Sequence, residues 1–463
     1  MANDPKDIDI TTRIGDHTPP LATLSTPNKE TPKSQENLVM ASSFLGSAVE
    51  YYDFLLYASA AGLVFPHVFF DPGINPTINL LMSYAILFTG YLARPLGGLL
   101  FGHFGDKFGR KNVLLITMVV MGIVSIGIGL MPTYSQIGVV APLSLVGLRF
   151  IQGVAVGGEW AGAMLMSAEH ASEKKKGFAA SVAVSGAPAG AVLSTLVLGL
   201  FAGLSEEQFM LWGWRIPFLL SAIMVGLAIY MRYNIHESPD FENARKEGDV
   251  HTGVPVIRLF QKYKMEVVLG IVLGIAPLFM QAYMAVVAVP YVVEQGVVGR
   301  QTALMMLTAS AFVHIFAIPF FAWLSDKWGR KTVMLLGAVI SIVMVFPMFW
   351  LYNSTSPALV ALGFMVGNPL IQASMYGPVG IFLAEKFSTA DRYTGVSVTY
   401  QGASVLGAGL APLAATWLMG LGNGLGETNV AIYFIVMVVI SSIGVIASKE
   451  TAKKKLAKKA TAA

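Results

Sequence analysis

Cysteine is absent from this 463-residue chain, which excludes disulfide scaffolds and thiolate metal sites. Charge is scarce too. Asp, Glu, Lys and Arg make up 13% of the residues, against roughly 25% in a soluble domain that must coat its own surface. The deficit predicts that most of the exterior faces lipid. No nucleophile–base–orienter set and no metal-ligand cluster is visible, so no enzyme, metal or cofactor is expected. The net charge of +4 does not point to nucleic acid, because the basic residues sit in loops flanking apolar runs and in a tail.

What the chain does have is apolar length, with 55% of its residues hydrophobic. A hydrocarbon core of about 30 Å takes about 20 apolar residues in helix. Runs of that size occur near 38–66, 77–101, 112–131, 138–167, 178–203 and 211–231. Six more follow near 266–293, 302–324, 332–352, 357–384, 393–420 and 429–447. Helices are expected because a lone span must satisfy its own backbone hydrogen bonds in lipid. The predicted fold is an all-α membrane protein of twelve transmembrane helices in two pseudo-symmetric six-helix bundles, 38–231 and 266–448. A disordered tail over 1–37, a central loop at 232–265 and a Lys-rich tail at 449–463 complete the predicted organisation. No cleavable signal peptide is read at the start, since the first apolar run is too long for one.

Basic residues set the orientation. The even-numbered loops carry Lys107, Arg110, Lys111, Lys174 to Lys176, Arg245, Lys246, Arg258, Lys262, Lys327, Arg330, Lys331, Lys386 and Arg392, while the odd-numbered loops carry Arg300, with Arg215 at a helix edge. The even loops and both termini are therefore expected on the cytoplasmic side of the cell membrane.

One loop is present twice. Residues Gly102 to Lys111 read GHFGDKFGRK and residues Ala322 to Lys331 read AWLSDKWGRK, each joining two apolar runs. A loop copied at half-length implies two similar halves, and such chains work by rocking one half against the other around a central site. Orientation alone would need only Lys or Arg. The aspartate and glycines at fixed offsets suggest gating, with Gly102, Asp106, Arg110, Asp326 and Arg330 as the candidates.

Ionisable residues inside the runs are the costliest, each opposed by at least about 2.5–3.5 kcal/mol at mid-bilayer. The first half has Glu50, Asp53, Arg94, Arg149 and Glu159; the interiors of the last six runs hold no Asp, Glu, Lys or Arg. There the polar groups are neutral: Gln281, Tyr283, His314, Asn368, Gln372, Tyr376, Tyr400 and Gln401. This asymmetry suggests that the first half handles charge and protons while the second supplies neutral hydrogen bonds. Glu50 and Asp53 are three apart and share a helix face that Tyr57 continues. They are candidate proton carriers together with Glu159, or else fixed ion-pair partners between helices. Arg149, with Gln152 one turn on, is the natural counter-ion for a carboxylate or an anionic substrate. Arg94 precedes Pro95 near a helix end, where it can snorkel or serve the gate. His314 reads more readily as a hydrogen-bonded core histidine than as a proton carrier. Tyr51, Trp160, Gln281, Tyr283, Gln372, Tyr376 and Gln401 are the remaining candidates for lining a substrate cavity.

The doubled loop resembles the signature of the major facilitator superfamily, and further stretches are similar to its metabolite:proton symporter group, which includes carriers of shikimate, alpha-ketoglutarate, citrate and proline/betaine. These stretches are Glu50 to Phe54, Arg94 to Gly98, Arg149 to Gly153, Gly157 to Trp160, Trp212 to Phe218, Glu237 to Phe241 and Arg392 to Gly395. Tyr51 stands where the group often has Trp, Ala161 where Gly is usual, and Ala322 replaces the opening glycine of the second loop. Ser185 to Gly190 reads as a Gly/Pro-flexed helix, with exchange as a minor alternative. The resemblance implies alternating-access symport of protons with a small polar metabolite, an organic acid of the shikimate or di/tricarboxylate kind, by a protein acting as a monomer. The alternative is a zwitterionic osmolyte such as proline or glycine betaine held by aromatic rings.

Overall fold

The computed structural model describes residues 33–108, 110–157, 159–170, 176–233, 255–388, 391–421 and 424–451. Ten helices there are long and apolar enough to cross a membrane, or eleven when the bent pair Glu206–Gly213 and Arg215–Leu227 counts as one span. The twelfth is Lys33–Leu63, 31 residues long, which carries Glu50 and Asp53 among serines and tyrosines and so falls short on apolar character alone.

Spans 1 to 3 are Lys33–Leu63, Pro76–Phe108 and Arg110–Leu130. Span 4 is Val140–Val156 continued by Glu159–His170, and span 5 is Lys176–Val184 continued by Gly186–Phe201. Span 6 runs from Glu206 through a π turn at Phe209–Gly213 into Arg215–Tyr233. Span 7 is Lys264–Ala282, Tyr283–Val287 and Ala288–Glu294; spans 8 and 9 are Arg300–Trp328 and Arg330–Tyr352. Span 10 runs from Pro357 to Ala384 and span 11 from Arg392 to Met419, and Gly426–Ala447 is span 12. The helix of span 1 starts at Lys33, inside the stretch expected to be a tail, and a short helix, Pro255–Lys262, lies within the expected central loop.

Within the first bundle, span 1 packs on span 5 and span 2 on span 4; in the second, span 7 packs on spans 11 and 12. The bundles meet where span 5 touches span 8, span 2 touches span 11, and span 1 touches span 7. Small residues let backbones approach closely inside a bundle. A Cβ on Gly153 would overlap the Gly90 carbonyl, so spans 2 and 4 are in backbone contact.

The second copy of the repeated loop is tied down by charge. Arg330 forms an ion pair with Asp326 at 2.6 Å and another with Glu385, beyond span 10, at 3.3 Å. Glu450 accepts hydrogen bonds from the backbone N–H groups of Arg330 and Lys331 at 3.2 and 3.0 Å. Its carboxylate thus caps the exposed donors and positive end of span 9. Gly329 makes the turn at φ +98°, a conformation that favours glycine. Thr451 also hydrogen-bonds Glu385, so the segment after span 12 is fastened to this loop. Replacing Glu450 by Ala removes a cap worth about 0.5–2 kcal/mol. The thermal unfolding midpoint of the detergent-solubilised protein should fall for Glu450→Ala and stay level for the neighbouring exposed Lys449→Ala; equal midpoints for both would remove the cap.

Candidate functional site

Span 1 faces the middle of the first bundle with its acids. Glu50, Asp53 and Tyr57 are all buried, as their shared helix face predicts. Ser125 of span 3 and Ser221 of span 6 face the Asp53 carboxylate, and Glu159 of span 4 repels it electrostatically. Neither Asp53 oxygen completes a hydrogen bond. Glu159 lies at the N-terminus of the second segment of span 4, with the Thr117 hydroxyl 3.5 Å from its carboxylate.

Arg149 is fully buried one helical stretch away. Its Nη1 donates to Gln152 Oε1 at 2.6 Å, and Gln152 Nε2 donates to Ser125 Oγ at 3.4 Å. Ser125 thus stands between Asp53 and the Gln152–Arg149 pair, with no hydrogen bond reaching the Asp53 carboxylate itself. Arg149 Nε and Nη2 have no hydrogen-bond partner; the guanidinium rests on aromatic faces instead, 4.3 Å from the Phe54 ring centre and 4.1 Å from that of Tyr57. Arg94 rests on the same Phe54 ring at 4.1 Å and on Tyr91 at 4.5 Å. Such contacts carry a desolvated cation that has no carboxylate beside it.

Two narrow cavities lie between the bundles. Tyr51, Arg94, Gln281, Tyr400 and Ser404 supply the polar lining of the first; Ser59, Thr195, Gln281, His314 and Asn368 supply that of the second. Gln281 lines both. Tyr400 anchors the floor of the first: its hydroxyl is 3.3 Å from that of Tyr51 and 2.9 Å from that of Tyr376, and its ring stacks on Trp160 with centres 3.6 Å apart. Gln401 Nε2 donates to the Gly157 carbonyl at 3.0 Å, closing the bundles toward the face that carries the repeated loop.

The opposite face is closed as well. Arg300 of span 8 pairs with Glu206 of span 6 at 3.0 Å, donates to the Ala202 carbonyl at 3.3 Å, and covers the Phe209 ring at 4.0 Å. Thr195 and Thr308 hydroxyls meet at 2.7 Å nearby. Contacts between the bundles thus lie on both sides of the cavities.

Several expectations land elsewhere. Arg94, read as a gate residue, lines the cavity, while Arg149 and Gln152, read as substrate ligands, lie in the bundle core behind Phe54. Tyr283 packs among Phe279 and Phe349 in the second bundle, away from both cavities. Gln372 lies beside His314 and lines neither. Asp326 and Arg330 form the ion pair described above; Gly102, Asp106 and Arg110 lie outside the residues whose side chains are described. Ser59, Thr195, Ser125 and Ser221 carried no sequence signal, because small hydroxyls are common in membrane helices.

The Arg300–Glu206 pair yields a test. An exposed ion pair is worth about 0.2–1 kcal/mol, so Arg300→Gln should raise opening toward that face by up to about fivefold. A cysteine in place of Ala191, which lines the second cavity, reports this without background, since the chain has no other. Its labelling by an impermeant maleimide from the Arg300 side should quicken; an unchanged rate would contradict the latch.

With this geometry in hand, comparison with known proteins is informative. A family model described as the Major Facilitator Superfamily matches residues 43–298 and 271–462. The chain is similar to the inner membrane metabolite transport protein YhjE of Escherichia coli (strain K12), at 37% identity over 94% of this chain and 99% of that one. It is 37% identical to the shikimate transporter of the same organism over 88% of this chain and 93% of the other. To that organism's proline/betaine transporter it is 33% identical, over 89% and 83%. The xylose transporter XylE from E. coli, in a partially occluded inward open conformation, superposes with a TM-score of 0.71 at 18% identity, covering 90% of this chain and 99% of that chain; that likeness speaks to the fold.

Proposed function

This chain belongs to the major facilitator superfamily, and from that premise we propose that it carries a small organic acid across the cell membrane together with protons, by alternating access. The superfamily and the relatives named above are transporters, so the protein is a multi-pass membrane transporter and not an enzyme. The finer reading rests mainly on one observation: the line of groups from Asp53 through Ser125 and Gln152 to Arg149, which ends on the Phe54 ring that Arg94 also covers. On ionisation Asp53 would draw the neighbouring Ser125 hydroxyl toward it, and on protonation it would let that hydroxyl go. Arg149 then shifts against Phe54, and Phe54 bears on Arg94 in the cavity. A proton taken up beside Asp53, with Glu50 and Glu159 as neighbouring acids, is in this way linked to how Arg94 presents its charge to an anion.

Substrate and proton together would stabilise the closed arrangement, and loss of either would favour opening. Each chain contains its own two bundles and cavities, consistent with a monomer as the working unit. The basic loops support both termini lying in the cytoplasm. A second reading, symport of a zwitterion such as proline or betaine, draws on the relative of that name and on the aromatic lining at Tyr51.

Coupling and translocation separate in vesicles. Asp53→Asn, and independently Glu50→Gln, should retain exchange of labelled acid for unlabelled acid while losing accumulation driven by an acidic exterior, so that inside and outside concentrations only equalise. Full accumulation in both variants would refute the assignment of these acids.

A further inference from the structure

The chemistry of the two cavities narrows the substrate further, and this inference rests on the organic-acid reading above. The first cavity offers one guanidinium, Arg94, with the hydroxyl of Tyr51 and that of Tyr400 beside it. Its lining contains no other cation and no carboxylate. The second offers neutral hydrogen-bonding groups, Ser59, Thr195, Asn368 and the His314 imidazole, and again no carboxylate or ammonium. Gln281 belongs to both walls, so the two spaces adjoin across one amide.

Buried polar atoms without partners mark where a ligand would complete them. Arg94 Nε and His314 Nε2 are such atoms, one in each cavity. A second carboxylate would enter a neutral chamber with no cation to meet it, which is costly in a low dielectric. A quaternary ammonium meets the opposite difficulty. Of the lining rings, Phe54 and Tyr91 are covered by Arg94 and Tyr400 by Trp160, which leaves Tyr51 alone to hold it, and no lining acid balances its charge.

We propose that the two cavities form one bipartite site for a hydroxylated monocarboxylic acid. The carboxylate lies on Arg94 and the tyrosine hydroxyls. The hydroxyl-bearing end reaches Ser59, Thr195, His314 and Asn368, and Gln281 spans the join. A hydroxyl-bearing end gives the unpartnered His314 Nε2 a hydrogen bond that an analogue lacking hydroxyls leaves unmade.

The test is equilibrium binding to the purified full-length protein, by calorimetry, using shikimate, benzoate, succinate, citrate and glycine betaine. Shikimate should bind at least about tenfold more tightly than the other four. Asn368→Ala and Thr195→Val should each weaken shikimate by about fivefold to tenfold and leave benzoate unchanged, while Arg94→Gln should weaken both acids together. A loss confined to shikimate cannot come from a general folding defect, since benzoate binding reports the intact cavity. Succinate or citrate binding as tightly as shikimate would overturn the bipartite site and leave organic-acid transport standing. So would equal losses for shikimate and benzoate in Asn368→Ala. Betaine bound in preference to every acid would overturn both readings.

Discussion

A carboxylate or guanidinium at mid-bilayer costs at least about 2.5–3.5 kcal/mol, and the first bundle buries five of them: Glu50, Asp53, Arg94, Arg149 and Glu159. Serine, threonine and glutamine groups stand beside the acids, and aromatic faces carry the two cations. The two arginines are thus held on rings and, among the described residues, not in an ion pair with a carboxylate, so an anion arriving beside Arg94 meets a cation that is not already neutralised. The second bundle makes the complementary choice. Among its described residues, buried Arg330 and Asp391 lie by the loops of the motif face, and its cavity wall is neutral.

The contacts within and between bundles differ in kind. Inside a bundle, glycines bring backbones together, and such packing has no intermediate setting between made and broken. Between bundles, beside helix packing and the Tyr51–Tyr400 and Trp160–Tyr400 contacts, stand single hydrogen bonds and one exposed ion pair: Gln401 to Gly157 on one side, Thr195 to Thr308 and Arg300 to Glu206 on the other. Each is worth about 1 kcal/mol or less. Two stiff bodies held by weak latches at both ends can be tipped either way by a ligand's modest preference.

Much of this was legible in the sequence because lipid is an exacting solvent. Twelve apolar runs and a duplicated loop gave the fold; charges in oil pointed to Asp53, Glu50, Glu159 and the two arginines. The arginines' roles were not legible. Arg94 sits before Pro95 near a basic loop, which reads as snorkelling, yet its helix faces the other bundle. Arg149 falls in the right helix but on the side turned inward. Tyr283 lies two residues after cavity-lining Gln281, about half a turn round the helix, and so packs on the other side of span 7 among Phe279 and Phe349. The serines that face Asp53 are identical in type to the other buried serines of the helices.

The central claim is that hydrogen ions move with the acid, through the first bundle. Purified protein in vesicles, with no gradient imposed, offers the most direct measurement: external pH recorded as shikimate is added outside. The account predicts that the medium turns alkaline in step with entry of the acid, and that Asp53→Asn admits the acid without that change. Entry of the acid into wild-type vesicles at constant external pH would contradict it.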